Sequence, residues 1–414
     1  MDLAGVLSRK YYTHFAPTKS AEAMRRAGCH LFCCEDMVIV GKLGNGYFAS
    51  VFLVHHRPTD QFMAMKLTKE ASAHRHEIEL LNKLNHKNVV KLFGSCVIGA
   101  RFACLTELAN GGNLSSLLSA RHVNLSWSVR VGLALDIANG LQHLHHHNLI
   151  HRDLSSANIL IQINFPDSPP SSTRKMACSS SSLMSSPPHH IPFDLISSPS
   201  PTLSHVMTSP DLYTRHKRTV FNLMGDVADS LDGTLLNGNS TALDDDLPFT
   251  PSRAVATPAV LPIWQQPIWT SLCSESSSPR YTAVIADLGL CLDLDRLPSE
   301  PMSLVGNPYY IAPECLTDTA PYTFAADVFA YGLLVCELIT RLLNDGTQIP
   351  RTQDFGLDHA ELPVPEDCPE WFSQVAMDAC KVDHKKRPKL STLIHRISTE
   401  AISVDNPTTI SPKS

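Results

Sequence analysis

Residues 151–160 read HRDLSSANIL, and that stretch decides the fold. Asp153 can take a proton from a hydroxyl, and Asn158, five positions on, offers an amide oxygen to a metal ion. A second metal-binding carboxylate stands in Asp287-Leu288-Gly289, and Ala312-Pro313-Glu314 closes the segment that follows. The order is regular; the spacing is not. Two such ligands need only one short hairpin of about a dozen residues between them, yet positions 158 and 287 lie more than a hundred residues apart. Something large is inserted between the two metal ligands.

The 414 residues suffice for two or three ordinary domains, or for one large domain with disordered additions. With 43% hydrophobic residues the chain can build a sizeable core, and a net charge of −6 gives no general attraction to nucleic acid or anionic membrane. Of the twelve cysteines only Cys33 and Cys34 are adjacent and no CxxC pair occurs, a pattern of buried reduced thiols rather than disulfides or a zinc site. The opening MDLAGVLSRKYYTHF has neither the apolar segment nor the cleavage site of a signal peptide, and no run of about 18 apolar residues occurs. These features predict a soluble intracellular protein without a membrane span, cytoplasmic, with the nucleus as a second compartment.

Strand-like runs (MVIVGKL, ASVFLVHH, FMAMKLT) begin at Met37, followed by a helical stretch over 71–84 and a second strand pair, VVKLFGSCV and FACLTEL. After Gly111-Gly112 the period becomes helical, with Leu114, Leu117 and Leu118, then 129–143, for which Ser126 is the expected N-cap. Residues 163–278 break the pattern: about a third are Ser or Pro, a composition that buries too little apolar surface to offset chain ordering, so disorder is expected. Within it LPIWQQPIW (261–269) could dock on a partner protein or form only transient clusters. The predicted architecture is α+β and two-lobed: an N-terminal extension (1–33), a β-rich lobe (34–110), a mainly helical lobe in two parts (111–162 and 279–400) around the insertion (163–278), and a tail (401–414).

Gly44-Asn45-Gly46-Tyr47-Phe48-Ala49-Ser50-Val51 lies between two strands, and its glycines would let main chain approach phosphate oxygens, although a Gly-rich hairpin turn accounts for it equally. Lys66, within Ala64-Met65-Lys66, sits in an apolar strand and must be paired or bind an anion. Glu77 is its natural partner on the next helix, at an interval of eleven residues that is short for such a pair; a surface ion pair is the alternative. Thr106-Glu107-Leu108-Ala109 ends the strand pair where the lobes would hinge, so main-chain groups of Glu107 and Ala109 could bind adenine with Thr106 at the back. His143, His145, His146 and His147 end a helix, where cations suit the C-terminus, rather than forming a metal site. Cys29, His30, Cys33 and Cys34 likewise lack metal-site spacing.

With these motifs in order, the chain resembles the protein kinase family, and within it the testis-specific branch of the LIM-kinase group. TELANGGNL, LALDIANGL, YTAVIADLGL, DVFAYGLLVCELI and above all PRTQDFGLD (350–358) carry the likeness. It implies an ATP-dependent kinase of dual Ser/Thr and Tyr specificity that uses Mg²⁺ or Mn²⁺ and acts on protein substrates, among them cofilin-like actin regulators. It implies Asp153, Lys66, Asn158 and Asp287 as catalytic residues, with Asn158 and Asp287 on the metal. The nucleotide would meet Leu43, Gly44, Asn45, Gly46, Val51, Ala64, Lys66, Glu77, Thr106, Glu107, Ala109 and Leu160. Asp327 and the pair Glu314 with Arg387 would support the catalytic loop and the substrate-binding segment. Two positions depart from the usual kinase pattern. Neither Ser155 nor Ala157 supplies the basic residue common near the catalytic Asp, and Asn307 stands where a Ser or Thr usually contacts it.

Overall fold

Alternating apolar residues produce a five-stranded antiparallel sheet of order β1-β2-β3-β5-β4: β1 (Met37–Asn45), β2 (Ala49–His56), β3 (Gln61–Thr68), β4 (Leu92–Ile98) and β5 (Arg101–Thr106). The computed structural model describes residues 28–45, 49–68, 71–98, 101–165, 262, 279–296, 304–316, 322–344 and 349–405, all in one unit of the chain. Because side chains alternate along a strand, Met63 and Met65 join Val54, Cys96, Ile98, Ala103 and Leu105 in a small core closed by Phe32 and Cys34. Ala64 and Lys66 then face the other way. Helix α1 (Ala71–Leu81) follows β3 and ends three residues earlier than expected. Lys83 and Leu84 instead make tight i→i−3 bonds, at 3.0 Å to Leu80 O and 3.2 Å to Leu81 O.

The helical lobe contains α2 (Leu114–Ser119), α3 (Trp127–His146), β6 (Leu149–Ile150), β7 (Ile159–Asn164), β8 (Arg280–Ile285), β9 (Leu292–Asp293), α4 (Pro313–Leu316), α5 (Phe324–Thr340), α6 (Glu370–Ala379) and α7 (Leu390–Asp405). Leu114, Leu117 and Leu118 are fully buried, and Ser126 caps α3 by accepting from Val129 N at 3.4 Å. Helix α5 is apolar around nearly its whole circumference and runs through the core, with Phe329 and Tyr331 fully enclosed. Its two acidic residues, Asp327 and Glu337, are therefore buried and must find donors. Among the described residues no helix is long and apolar enough to cross a membrane.

β7 and β8 form one antiparallel hairpin in unbroken register from Ile159↔Ile285 to Asn164↔Arg280. The composition break at 163 falls inside this strand, which continues to Asn164, and both Ile163 and Phe165 are buried. The remainder of the insertion lies outside the described residues except Pro262, as do residues 1–27 and the tail from 406. Val89 and Val90, read from sequence as strand, dock the sheet lobe onto β8 instead: Val90 N donates to Ile285 O at 2.8 Å and Ile285 N to Asn88 O at 2.9 Å. Gly140 on α3 makes room, since a Cβ there would lie 2.4 Å from Asn88 O.

Candidate active site

Lys66 lies opposite Val51 on β2 and Cys104 on β5, in the middle of the sheet, and points toward α1. Its Nζ is 2.8 Å from both oxygens of Glu77 and 2.7 Å from Asp287 Oδ1. Because α1 begins at Ala71, so soon after β3, Glu77 falls on the second helical turn and eleven residues span the pair. Glu77 is 3% exposed, which rules out the surface ion pair. Burial works against the Lys66 ammonium, but Glu77 and then Asp287 outweigh it and raise its pKa. Burial likewise opposes ionisation of Asp287, and Lys66 reverses this, so its pKa is lowered. Asp287 adopts a left-handed backbone (φ 61°, ψ 70°) that few non-glycine residues occupy without a functional constraint.

The loop from His151 to Asn158 hangs from α5. Asp327 accepts from His151 N at 2.8 Å, Arg152 N at 3.1 Å and His145 Nε2 at 2.9 Å. His151 then accepts from Asp153 N through Nδ1 at 3.2 Å, which leaves Nε2–H to donate to Ala286 O at 3.2 Å. Asp153 Oδ2 accepts from Asn158 Nδ2 at 2.9 Å, and its Oδ1 accepts from Asn307 N at 2.8 Å. Burial raises the Asp153 pKa, opposed by His151 and the Asn307 N–H, which moves the carboxylate toward accepting a proton. Asn307 meets Asp153 through its main chain alone. Its side-chain Oδ1 accepts from Tyr309 N at 3.1 Å, so the contact expected from a Ser or Thr side chain is replaced by a peptide N–H. Gly306 (φ +100°) permits this approach: a Cβ would stand 2.2 Å from Arg152 O. Ser155 is 3% exposed, whereas Ala157 is exposed.

Cross-strand register puts Val51 beside Lys66, and Ala64 beside Thr106, on the sheet face that carries the Lys66–Asp287 contact between the lobes. Leu43 and Gly44 lie on β1 and Leu160 on β7, all partly buried. A Cβ on Gly44 would meet nothing within 4 Å among the described residues. Asn45 ends β1, and Gly46 lies outside the described residues. The Glu107 N–H donates to Lys91 O at 3.0 Å, so the main-chain contact it could offer adenine is its carbonyl. Its carboxylate accepts from Lys91 N at 2.9 Å and Gln162 Nε2 at 3.2 Å, which fastens the hinge to β7, and Ala109 is partly buried beside it.

Asp287 and Asn158 fit Mg²⁺ or Mn²⁺ in chemistry, since Asn158 directs its nitrogen at Asp153 and keeps an oxygen for the ion. Among the described residues no group of three or more His, Cys, Asp or Glu holds a metal unaided. The pair would therefore bind the ion together with phosphate oxygens. The supports implied by the resemblance are present: besides Asp327, Arg387 grips Glu314 with two parallel bonds of 2.6 and 2.7 Å.

The histidines at the end of α3 divide by role. His145 reaches Asp327, while His143 stacks on His86 at 4.8 Å, and burial lowers the pKa of both stacked rings rather than favouring cations. Sequence reasoning also passed over Ser156, Tyr310 and Glu337, whose hydroxyls and carboxylate meet in the core. A lone Glu inside DVFAYGLLVCELI, the only charge after Asp327 in that run, was the available signal.

A protein kinase domain model matches residues 37–166, and a protein tyrosine and serine/threonine kinase model matches 277–397. Dual specificity testis-specific protein kinase 2 of Homo sapiens is 30% identical over 366 residues, covering 86% of this chain and 42% of that protein. Dual specificity testis-specific protein kinase 1 of Homo sapiens is 28% identical over 390 residues (91% and 44%), and LIM domain kinase 1 of Drosophila melanogaster 28% over 377 (88% and 23%). The chain thus spans less than half the length of these relatives. With both lobes matched on either side of the insertion and Lys66, Glu77 and Asp287 assembled between them, the chain belongs to the protein kinase family.

Proposed function

We propose that the chain transfers the γ-phosphate of ATP to serine, threonine and tyrosine hydroxyls of protein substrates, with cofilin-like actin regulators as the substrate class and the cytoplasm and nucleus as its place of action. The observation that carries this reading is the contact of Lys66 with both Glu77 and Asp287 across the two lobes. Lys66 holds the α and β phosphates, and Glu77 fixes its position. Asp153 orients the acceptor hydroxyl and takes its proton; its raised pKa suits that role. Asn158 and Asp287 hold the metal, which supplies charge neutralisation at the phosphates when bound. Dual acceptor specificity draws support from the similarity to dual specificity testis-specific protein kinases, and the actin-linked substrate class from the resemblance that PRTQDFGLD carries.

A second reading, a weakly active scaffold whose insertion binds partner proteins, is favoured by one observation. No basic side chain stands at Ser155 or Ala157, so less positive charge meets the transferring phosphoryl group. Incubating the full chain with Mg-ATP and degenerate Ser, Thr and Tyr peptides, beside Asp153→Asn, tests the choice. Label on all three phosphoamino acids that vanishes in the variant supports the enzyme; equal traces in both support the scaffold.

A further inference from the structure

Residues 309–311 belong to no helix or strand, yet their main chain is gripped by side chains of the segment that follows α5. Arg351 donates from Nη1 to Tyr309 O at 2.8 Å and from Nη2 to Ile311 O at 3.2 Å, and Asn344 Nδ2 donates to Tyr309 O at 2.8 Å. Between these carbonyls Tyr310 turns inward, and its hydroxyl donates to Glu337 Oε1 at 2.8 Å. The same oxygen accepts from Ser156 Oγ at 3.2 Å and Asn344 N at 2.7 Å. One buried carboxylate oxygen thus joins the catalytic loop, residues 309–311 and the turn that carries Asn344.

Arg351 is fixed before it reaches that segment. Its Nε donates to Phe355 O at 2.8 Å, and the loop closes on itself through Thr352 N to Gly356 O at 2.9 Å and Asp358 N to Pro350 O at 3.0 Å. The guanidinium lies 4.9 Å over the Phe329 ring. Among the described residues it has no carboxylate within ion-pair distance, and burial lowers its pKa to about 10. Removing a guanidinium from water without a counter-ion is unfavourable. Its planar fork reaches two carbonyls two residues apart, which a point-like ammonium does not do. Its placement makes physical sense as a geometric constraint on 309–311.

We propose that Arg351, assisted by Asn344, is a positioning residue that sets substrate specificity. It fixes the main chain of 309–311, which leaves the Asn307 contact with Asp153, and so shapes the surface that receives substrate residues flanking the phosphoacceptor. This rests on the phosphotransfer reading, and the substrate it implies is an extended peptide segment laid along that main chain.

The test compares full-length Arg351→Ala, Arg351→Lys and Asn344→Ala with wild type by amide hydrogen exchange and by a positional peptide library with a fixed Ser, Thr or Tyr acceptor. Exchange within 308–312 rises about tenfold in Arg351→Ala and less in the other two, while α7 is unchanged. Residue preference beside the acceptor flattens, and KM for peptide rises about fivefold with KM for ATP within about twofold. Unchanged exchange and preference, or a KM for ATP that rises in step with that for peptide, overturns the proposal. If Arg351→Ala does not fold, Arg351→Lys carries the comparison. Raised exchange in a wild-type background that transfers no phosphate would leave the positioning role standing and refute the proposed function.

Discussion

Replacing Asp327 by Asn tests how the catalytic loop is held. The carboxylate is 2% exposed and accepts three hydrogen bonds, from His151 N, His145 Nε2 and Arg152 N at 2.8, 2.9 and 3.1 Å. Asparagine offers a single acceptor oxygen. With that oxygen toward His151 and His145, its NH₂ group faces the Arg152 N–H, so one charge-assisted bond becomes a donor facing a donor and the other two lose their charge. Bonds to charged groups contribute about 1.5–3 kcal/mol and neutral ones about 0.5–1.5; allowing for the easier burial of a neutral amide, the net loss is about 3–5 kcal/mol. For a domain of this size that lowers Tm by about 6–20 °C in a thermal scan. Arg152, held at φ 63°, would relax toward ordinary dihedrals, and phosphotransfer should fall with it. The pH dependence has a definite sign. Burial would raise the Asp327 pKa, but the hydrogen bond and charge of His145, with His151, hold it below the ordinary carboxylate range. Its stabilisation is then complete above about pH 3.9 and disappears as pH falls through the lower folded value, so the gap between wild type and variant narrows only in acid. A Tm within about 2 °C of wild type with full activity would refute this account of the loop.

Deleting residues 167–277 and closing β7 to β8 with a short turn should keep or raise Tm, because Asn164 and Arg280 are already paired. Removing about four doublings of loop length is worth about 2.4 kcal/mol by chain closure alone, and a deleted form that cannot fold contradicts it. Ala157→Lys, at an exposed position, should raise kcat on a peptide substrate by about tenfold with little change in KM for ATP, since the added cation acts on developing charge; an unchanged kcat shows that another cation already serves. The acid limb of kcat/KM should fall above the ordinary aspartate value of about 3.9, because burial raises Asp153. A limb at or below that value would mean that Asp153 does not need to be ionised.

The candidate catalytic residues were legible because the proposed phosphoryl transfer fixes both their types and their order: HRD with Asn158, the Asp287 tripeptide and Lys66 are local patterns. The β7–β8 hairpin was legible for a different reason, since ILI and AVI read as two apolar strands whatever lies between them. Contacts that depend on tertiary register were not. That Val89 and Val90 leave the β4 strand to bond β8, and that Asn307 turns its side chain to Tyr309 N and offers Asp153 a peptide N–H, follow from backbone paths no local period encodes. The same holds for His145. In sequence it is one of four histidines at a helix end, and only the crossing of α3 with α5 selects it for Asp327.

The most direct measurement is γ-phosphate transfer by Asp287→Asn beside wild type, with Tm recorded for both. Asp287 is partly exposed in the cleft, with 45% of its side-chain surface accessible, and contributes little to core packing. The account predicts transfer by wild type that requires Mg²⁺ or Mn²⁺, and loss of transfer in the variant at nearly unchanged Tm. Transfer by Asp287→Asn near the wild-type rate would contradict it.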